Sequence, residues 1–147
     1  MEPFQIGDAV VRGRPIIHPG PTVGYRIEDA SGSVAYLPDH EPALGVRAFP
    51  ATPEWTSGFD LAAEADLLIH DAQYTTAEYR SRIGWGHSAM RDALTFATLV
   101  GVRRFVSFHH DPTHDDATLD CIDAAARAAG ELRFALIPGT EGSTFDL

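Results

Sequence analysis

Hydrophobic and polar positions along the chain change their spacing near residue 60. Before it, β-branched and aromatic residues indicate short antiparallel strands in FQIGDAVVRGRPII and TVGYRIEDASGSVAYL, the second with a turn at residues 29–32. After it, the strand-like runs DLLIHDA, RRFVSF and LRFALI alternate with the helical stretches DLAAEA, TTAEYRSRI, SAMRDALTFATLVG and ATLDCIDAAARAAG. This order predicts an α/β fold, in which a mixed sheet has helices packed on it.

Local signals predict where the helices begin and end. Thr75 and Glu78 form a capping box, and Gly101 closes the helix that precedes it. Thr113 is the predicted N-cap of the last helix, in which Cys121 falls on the apolar, packed face. Residues 41–59 are rich in Pro, Gly and Trp, which predicts an irregular loop that covers a site.

Composition excludes several classes of protein. With 147 residues, 44% of them hydrophobic, the sequence can bury one core, so residues 1–147 are predicted to form a single unit. A formal net charge of -10 argues against a long nucleic acid partner, because that affinity comes mainly from basic side chains on phosphates, but it allows a small anionic substrate held by a metal. A secretory leader pattern and a long apolar run are both absent, which predicts a soluble, cytoplasmic protein with no membrane partner.

Polar side chains recur where a predicted strand gives way to a loop: His18, Asp39, Asp71 and His109. Side chains from neighbouring strand ends converge in open α/β sheets, so a shared site is expected. Imidazole and carboxylate are ligands for zinc, manganese or iron, and two such metals can share a bridging carboxylate and activate water. His40 and Glu41, beside Asp39, are further donors that can complete such a site.

Each of these residues also has a structural interpretation. His18, before Pro-Gly, is typical of a turn, and Asp39 can accept backbone N–H bonds in a loop. The run HHDPTHDD has the composition of a helix start with its acidic first turn, which places His114 and Asp115 at a cap and its solvated face. His70 is typical of a packed strand histidine. The spacing alone therefore leaves the metal site and the structural reading open.

Five segments carry a resemblance to a known family. HPGPTVGYRIE, VAYLPDHEP, ADLLIHDAQYT, GWGHSAMRDALTFA and RFVSFHHDP occur in the order and approximate spacing of the C-terminal half of metallo-β-lactamase-fold hydrolases. They are most similar to the branch of ribonuclease Z and bacterial phosphodiesterase-like members. The resemblance implies the C-terminal half of an αββα sandwich that binds two divalent metal ions, normally zinc.

The resemblance also implies roles for individual residues. His18 corresponds to a ligand of one metal, Asp39 to the aspartate that bridges both metals, and His109, rather than His110, to a ligand of the second metal. Asp71 and His87 correspond to a carboxylate and a histidine that act together at the substrate phosphate. In that family the histidine gives a proton to the leaving group, in agreement with the chemistry of a carboxylate-bound imidazole.

The sequence departs from the family pattern in its first motif. The string His-x-His-x-Asp-His, which supplies further metal ligands, does not occur in the chain. The remaining ligands predict weak metal binding by this chain alone, since zinc sites generally need three or four protein ligands. Asp71 stands where ribonuclease Z has glutamate, so its reach to His87 is open, and a transfer-RNA substrate is not implied.

Three hypotheses for function follow. The first is a metal-dependent phosphodiesterase, active when an N-terminal half completes it, in which metal-activated water attacks phosphorus and His87 protonates the leaving oxygen. The second is a non-catalytic module that associates through an exposed sheet face, as a homo-oligomer or with the missing half. The third is a metal-dependent ester or lactone hydrolase.

Overall fold

The computed structural model describes residues 2–42, 52 and 55–147. Within these residues seven strands and four helices occur in the order β1 (Phe4–Ile6), β2 (Ala9–Ile16), β3 (Thr22–Glu28), β4 (Ser33–Leu37), α1 (Phe59–Ala62), β5 (Leu67–Asp71), α2 (Thr76–Tyr79), α3 (Met90–Val100), β6 (Arg104–Phe108), α4 (Asp116–Ala128) and β7 (Ala135–Pro138). None of the helices in this part of the chain has the length and hydropathy needed to cross a bilayer.

The strands form one mixed sheet in which chain order and spatial order coincide. The first four strands are antiparallel neighbours, and β4, β5, β6 and β7 run parallel to one another. The predicted turn joins β3 to β4: the Asp29 N–H donates to the Gly32 carbonyl at 3.0 Å, and the Asp29 carboxylate accepts the Ser31 N–H at 2.7 Å. The α/β mixed sheet predicted from the period change is confirmed.

One face of the sheet and the helices share the hydrophobic core. Along β4 the burial alternates, with Ala35 and Leu37 fully buried, and Leu68 and Phe105 continue the same face on β5 and β6. Helices α1 and α3 pack on this face, and α4 packs on α3. Gly24 leaves room for two core side chains, because a Cβ there would lie 2.3 Å from Leu37 Cδ2 of β4 and 3.0 Å from Leu61 Cδ1 of α1. This layer holds the strand ends in fixed relative positions.

Two predicted helix ends are confirmed. Thr75 and Glu78 make both hydrogen bonds of the capping box, and Gly101 ends α3 in the left-handed conformation. The extents of two helices were wrong. α2 ends at Tyr79 rather than continuing to residue 83, and α1 begins at Phe59 and ends at Ala62. The predicted loop over residues 41–59 falls largely on residues 43–51, 53 and 54, outside the described part of the chain.

The predictions at the start of α4 need correction. Asp115, not Thr113, is the N-cap, and its carboxylate accepts the Thr118 N–H at 2.9 Å. Thr113 instead donates its hydroxyl to Asp111 at 2.6 Å. Cys121 is exposed rather than packed, because α4 packs through residues such as Ala126 and leaves the Cys121 side of its surface to a groove beside α3.

The opposite face of the sheet is covered less. Leu67 and Val106 on this face are buried, whereas other residues that alternate with the core positions are half-buried or exposed, and they include Tyr25, Ile27, Val34, Tyr36, Ile69 and Phe108. Ile27 and Phe108 keep 40% and 38% of their surface exposed. The C-terminal segment around Phe145 borders the part of this face near Tyr36 and Phe108. We call these six residues the open face.

We expect the chain to self-associate through the open face, because burial of a contiguous apolar surface against a second copy lowers the free energy of the chains. Sedimentation at increasing concentration should show dimers or larger species, and Ile27→Lys should shift the chain toward monomer. Ile83→Lys is the matched control, since Ile83 is similarly exposed, at 46%, and lies outside the sheet. A chain that remains monomeric at high concentration would contradict this expectation.

Candidate metal centre

Polar side chains meet where parallel strands end. Asp71 is the last residue of β5, His109 follows β6, and Asp39 lies two residues beyond β4. Because these three strands are parallel neighbours, their carboxyl ends share one edge of the sheet. His87 comes from the loop that precedes α3 and reaches the same edge. The convergence expected from the strand ends therefore occurs for Asp39, Asp71 and His109.

Four residues at this edge have the spacing of a metal site. One potential ligand atom from each of Asp39, Asp71, His87 and His109 lies within 4.8 Å of the others. His109 Nε2 is 3.3 Å from Asp39 Oδ1, and both side chains keep 36% of their surface exposed. Two carboxylates and two imidazoles form a donor set that suits zinc, manganese or iron. By type and spacing these residues could hold a divalent cation. Solvent reaches Asp39 and His109, which face each other.

The carboxylate of Asp71 is fully buried and accepts four hydrogen bonds. Oδ2 accepts from the His40 N–H at 3.2 Å and lies 2.7 Å from His87 Nδ1. Oδ1 accepts from the N–H groups of Gln73 and Ser88, each at 3.1 Å. A carboxylate offers about four lone-pair sites, and all are in use. Asp71 is thus suited to orient His87, while a metal would compete with its hydrogen bonds.

His87 lies among other rings. Its centroid is 4.8 Å from that of His109 in a stacked arrangement, and 5.3 Å from that of His18 edge to face. Burial lowers the pKa of His87, but the hydrogen bond and negative charge of Asp71 outweigh it, so the pKa is raised. With Nδ1 held by Asp71, Nε2 is the nitrogen available to another group.

His18 lies beside this group but is not one of the four. Its Nδ1 accepts the Gly20 N–H at 3.0 Å, which closes the Pro-Gly turn expected from the sequence and leaves Nε2 for another partner. Gly86 allows the approach of His18 to the loop before His87, because a Cβ at that position would lie 2.2 Å from His18 Cδ2. His18 therefore forms a turn and also lies beside the site.

His109 has an unusual backbone. Its φ is 55°, in the left-handed region that residues other than glycine seldom adopt, although His is among the more tolerant. Such strain persists where the surroundings impose it and is common at functional sites. The next residue, His110, has a pKa lowered by burial. At this bend it is His109, not His110, whose ring faces Asp39.

Comparison with known proteins matches the chain to a family. Residues 2–110 match the model of the β-lactamase superfamily domain. The chain belongs to this superfamily. A relative named ribonuclease Z, from Salinibacter ruber (strain DSM 13855 / M31), is 34% identical over 104 residues, which are 67% of this chain and 29% of that protein. The resemblance predicted from the five segments is confirmed.

Two solved structures extend the match to nearly the whole chain. The metallo-β-lactamase fold protein YhfI from Bacillus subtilis superposes with a TM-score of 0.71 over 97% of this chain and 51% of its own, at 18% identity, which shows the fold. Zinc-bound PqqB from Methylobacterium extorquens gives a TM-score of 0.62 over 99% of this chain and 50% of its own, at 25% identity. The chain spans about half the length of these relatives and less than a third of the ribonuclease Z.

Behind the edge of this metallo-β-lactamase-fold sheet lies a buried histidine pair. His40 Nδ1 and His70 Nε2 are 2.9 Å apart, and His70 Nδ1 donates to the Asp71 carbonyl at 2.6 Å. Burial lowers the pKa of His70 to about 4 and that of His40 well below its usual range. His70 is the packed histidine expected from its strand. His40 is also buried, so it does not complete the exposed cation site as the sequence had allowed.

Sequence reasoning missed two partners in this region. Glu41 is buried and accepts hydrogen bonds from the loop before His87, so its carboxylate is not a free donor for a metal. His114 is not on a solvated face: its side chain is 5% exposed, and Nε2 lies 2.9 Å from Glu78 Oε1. In the sequence, Glu41 and His114 are visible only as polar residues beside a strand end or a helix start. Each has a partner at least 36 positions away.

We expect Asp71→Asn to lower the free energy of unfolding by about 1–3 kcal/mol. The amide nitrogen of asparagine would face N–H donors, so at least one buried donor would lose its acceptor. Urea unfolding followed by circular dichroism measures this loss. Asp120→Asn, a matched change at an exposed position of α4, should shift stability by less than about 0.5 kcal/mol. Equal effects of the two substitutions would show that the Asp71 bonds are not needed for stability.

Proposed function

We propose that this chain forms part of a metal-dependent hydrolase that cleaves phosphodiesters, with His87 as the proton donor to the leaving oxygen. The observation that carries the proposal is the 2.7 Å contact between Asp71 and His87 Nδ1 beside the cluster of Asp39 and His109. It places a carboxylate-oriented imidazole next to a donor set for a cation. The name of the ribonuclease Z relative, an RNA-cleaving enzyme, supports phosphodiester chemistry.

His18, Asp39 and His109 would hold the metal, in the roles that the family resemblance implies for them. Two of these residues, Asp39 and His109, lie within the 4.8 Å cluster, and the third contacts it through His87. Zinc is the proposed ion, because PqqB was solved with zinc bound and imidazole and carboxylate suit this ion. A bound divalent ion would activate water and offset negative charge on the phosphoryl group.

The proton transfer is assigned to side chains of this chain. When Nδ1 of His87 donates to Asp71, Nε2 exchanges the proton of the reaction, and the carboxylate stabilises the cationic form of the ring. The four hydrogen bonds to Asp71 fix the ring orientation before substrate binds. Asp71 therefore acts as the orienting group, and His87 acts as the group that meets the substrate.

The proposed substrate is a small anionic phosphodiester. The net charge of -10 disfavours a long polyanion, whereas the ribonuclease Z relative is named for action on RNA. That relative is much longer than this chain, so residues outside the shared region can supply its RNA contacts. The charge of the present residues favours the small substrate.

Zinc binding should depend on Asp39. Titration of Zn²⁺ into the purified chain by calorimetry should show binding that weakens about tenfold or more in Asp39→Ala, since a charged ligand is lost. Asp120→Ala changes the net charge equally at an exposed position of α4 and should leave the affinity unchanged. Equal affinity in all three proteins would exclude Asp39 as a ligand.

Turnover should depend on His87. In a zinc-loaded preparation that hydrolyses a bis-aryl phosphodiester, His87→Ala should lower kcat by about 10²–10⁴-fold, the usual contribution of a general acid. The same variant assayed on an aryl carboxylic ester, for which attack on the carbonyl rather than departure of the aryloxide usually limits the rate, is the internal control. Equal loss on both substrates would favour the ester or lactone hydrolase, and no loss on the phosphodiester would refute the role of His87.

A further inference from the structure

Glu41 is a buried carboxylate with an acceptor role that the proposed reaction has not used. Only 1% of its surface is exposed. It accepts the Gly84 N–H at 2.9 Å on Oε1 and 3.1 Å on Oε2, and the Gly86 N–H at 2.8 Å on Oε2. The Tyr79 hydroxyl donates to Oε1 at 2.5 Å. Burial and Glu41 together raise the pKa of Tyr79, which keeps this hydroxyl a donor. Neutral donors thus compensate the buried charge.

The loop that Glu41 holds is the one that carries His87. Both Gly84 and Gly86 have positive φ, at 88° and 97°, so their N–H groups can converge on one carboxylate in a way that other residues would resist. Gly86 is the residue directly before His87. On the other side, the Ser88 hydroxyl donates to the His40 carbonyl at 2.6 Å. His87 is therefore fixed on both sides by the segment that contains Glu41.

The backbone of Glu41 reaches a third part of the edge. Its N–H donates to the Ile17 carbonyl at 3.2 Å, one residue before His18. Asp39, the proposed bridging ligand, lies two residues earlier in the same segment. One residue thus joins the turn of His18, the segment of Asp39 and the loop of His87.

We infer that Glu41 is a positioning residue, which holds the loop at residues 84–87 so that the His87 ring meets Asp71 and lies between His18 and His109. It does so through Gly84 and Gly86 and has no contact with the reacting atoms. The catalytic meaning of this position rests on the function proposed for His87. The position itself is a structural property that can be measured without turnover.

A carboxylate is required because, among the residues that the structure describes, each hydrogen-bond partner of the Glu41 side chain is a donor. In Glu41→Gln, one oxygen becomes an NH₂ group that faces the N–H of Gly86 or Gly84, so one glycine loses its acceptor. Loss of a hydrogen bond to a charged group corresponds to opening of the loop that is roughly tenfold to a hundredfold faster. The loop should loosen while the sheet stays folded, because the hydrogen bonds described for the Glu41 carboxylate go to Tyr79, Gly84 and Gly86 rather than to a strand.

The test is nuclear magnetic resonance of ¹⁵N-labelled full chain, comparing wild type, Glu41→Gln, Tyr79→Phe and Glu131→Gln. In Glu41→Gln we expect amide exchange of Gly84 and Gly86 to rise roughly tenfold to a hundredfold, and the downfield Nδ1–H resonance of His87 to broaden or disappear. Tyr79→Phe removes one donor and leaves both glycine contacts, so exchange should rise less and the His87 resonance should remain. Glu131 is exposed, and Glu131→Gln should match wild type.

Several results would overturn the inference. One is a folded Glu41→Gln in which glycine exchange and the His87 resonance are unchanged; another is an equal change in Glu131→Gln. If Glu41→Gln does not fold, Tyr79→Phe decides: faster exchange at Gly84 than in Glu131→Gln supports the inference, and unchanged exchange refutes it. Loss of the His87 signature in Glu41→Gln would keep the positioning role even where the His87→Ala comparison rejects the proposed function.

Discussion

The buried carboxylate of Asp71 is the interaction on which the edge of the sheet depends. Its four hydrogen bonds reach the segment after β4, the turn after β5 and the loop before α3. An ionised group in this position is tolerable only if every lone pair is occupied, because the desolvation of an unpaired charge is large. The three segments are therefore fixed relative to one another by the requirement to solvate one anion.

The buried carboxylate of Glu41 is compensated in the same way, by backbone N–H groups and a tyrosine hydroxyl instead of a cation. Surface ion pairs of this chain, such as Arg127 with Asp123 at 2.7 Å, contribute little by comparison, because water competes for both partners. Placing the strong hydrogen bonds at buried carboxylates gives geometric order to the residues beside them. That order is what a metal site and a proton donor need, since both fail when their groups move by an ångström.

Much of this arrangement could be predicted from local patterns. The alternation of strand and helix periods predicted the sheet. The positions of the strand ends predicted that Asp39, Asp71 and His109 lie at one edge, as they do. Long-range partners could not be predicted in this way. Glu41 binds a loop more than forty positions later, and His114 pairs with Glu78 at the cap of α2. Cys121 was misplaced because the period of α4 indicates a face but not whether a neighbour covers it.

The shorter side chain of Asp71 raised the question of its reach to His87, and the backbone supplies the answer. Tyr74, just beyond β5, accepts the Met90 N–H at 2.8 Å and donates its own N–H to the Ser88 carbonyl at 3.1 Å. This short parallel bridge between Tyr74 and Ala89 draws the start of α3 against the end of β5. With the loop so close, an aspartate spans the distance to Nδ1 and still accepts the Ser88 N–H. Side-chain length and backbone approach are therefore matched in this chain.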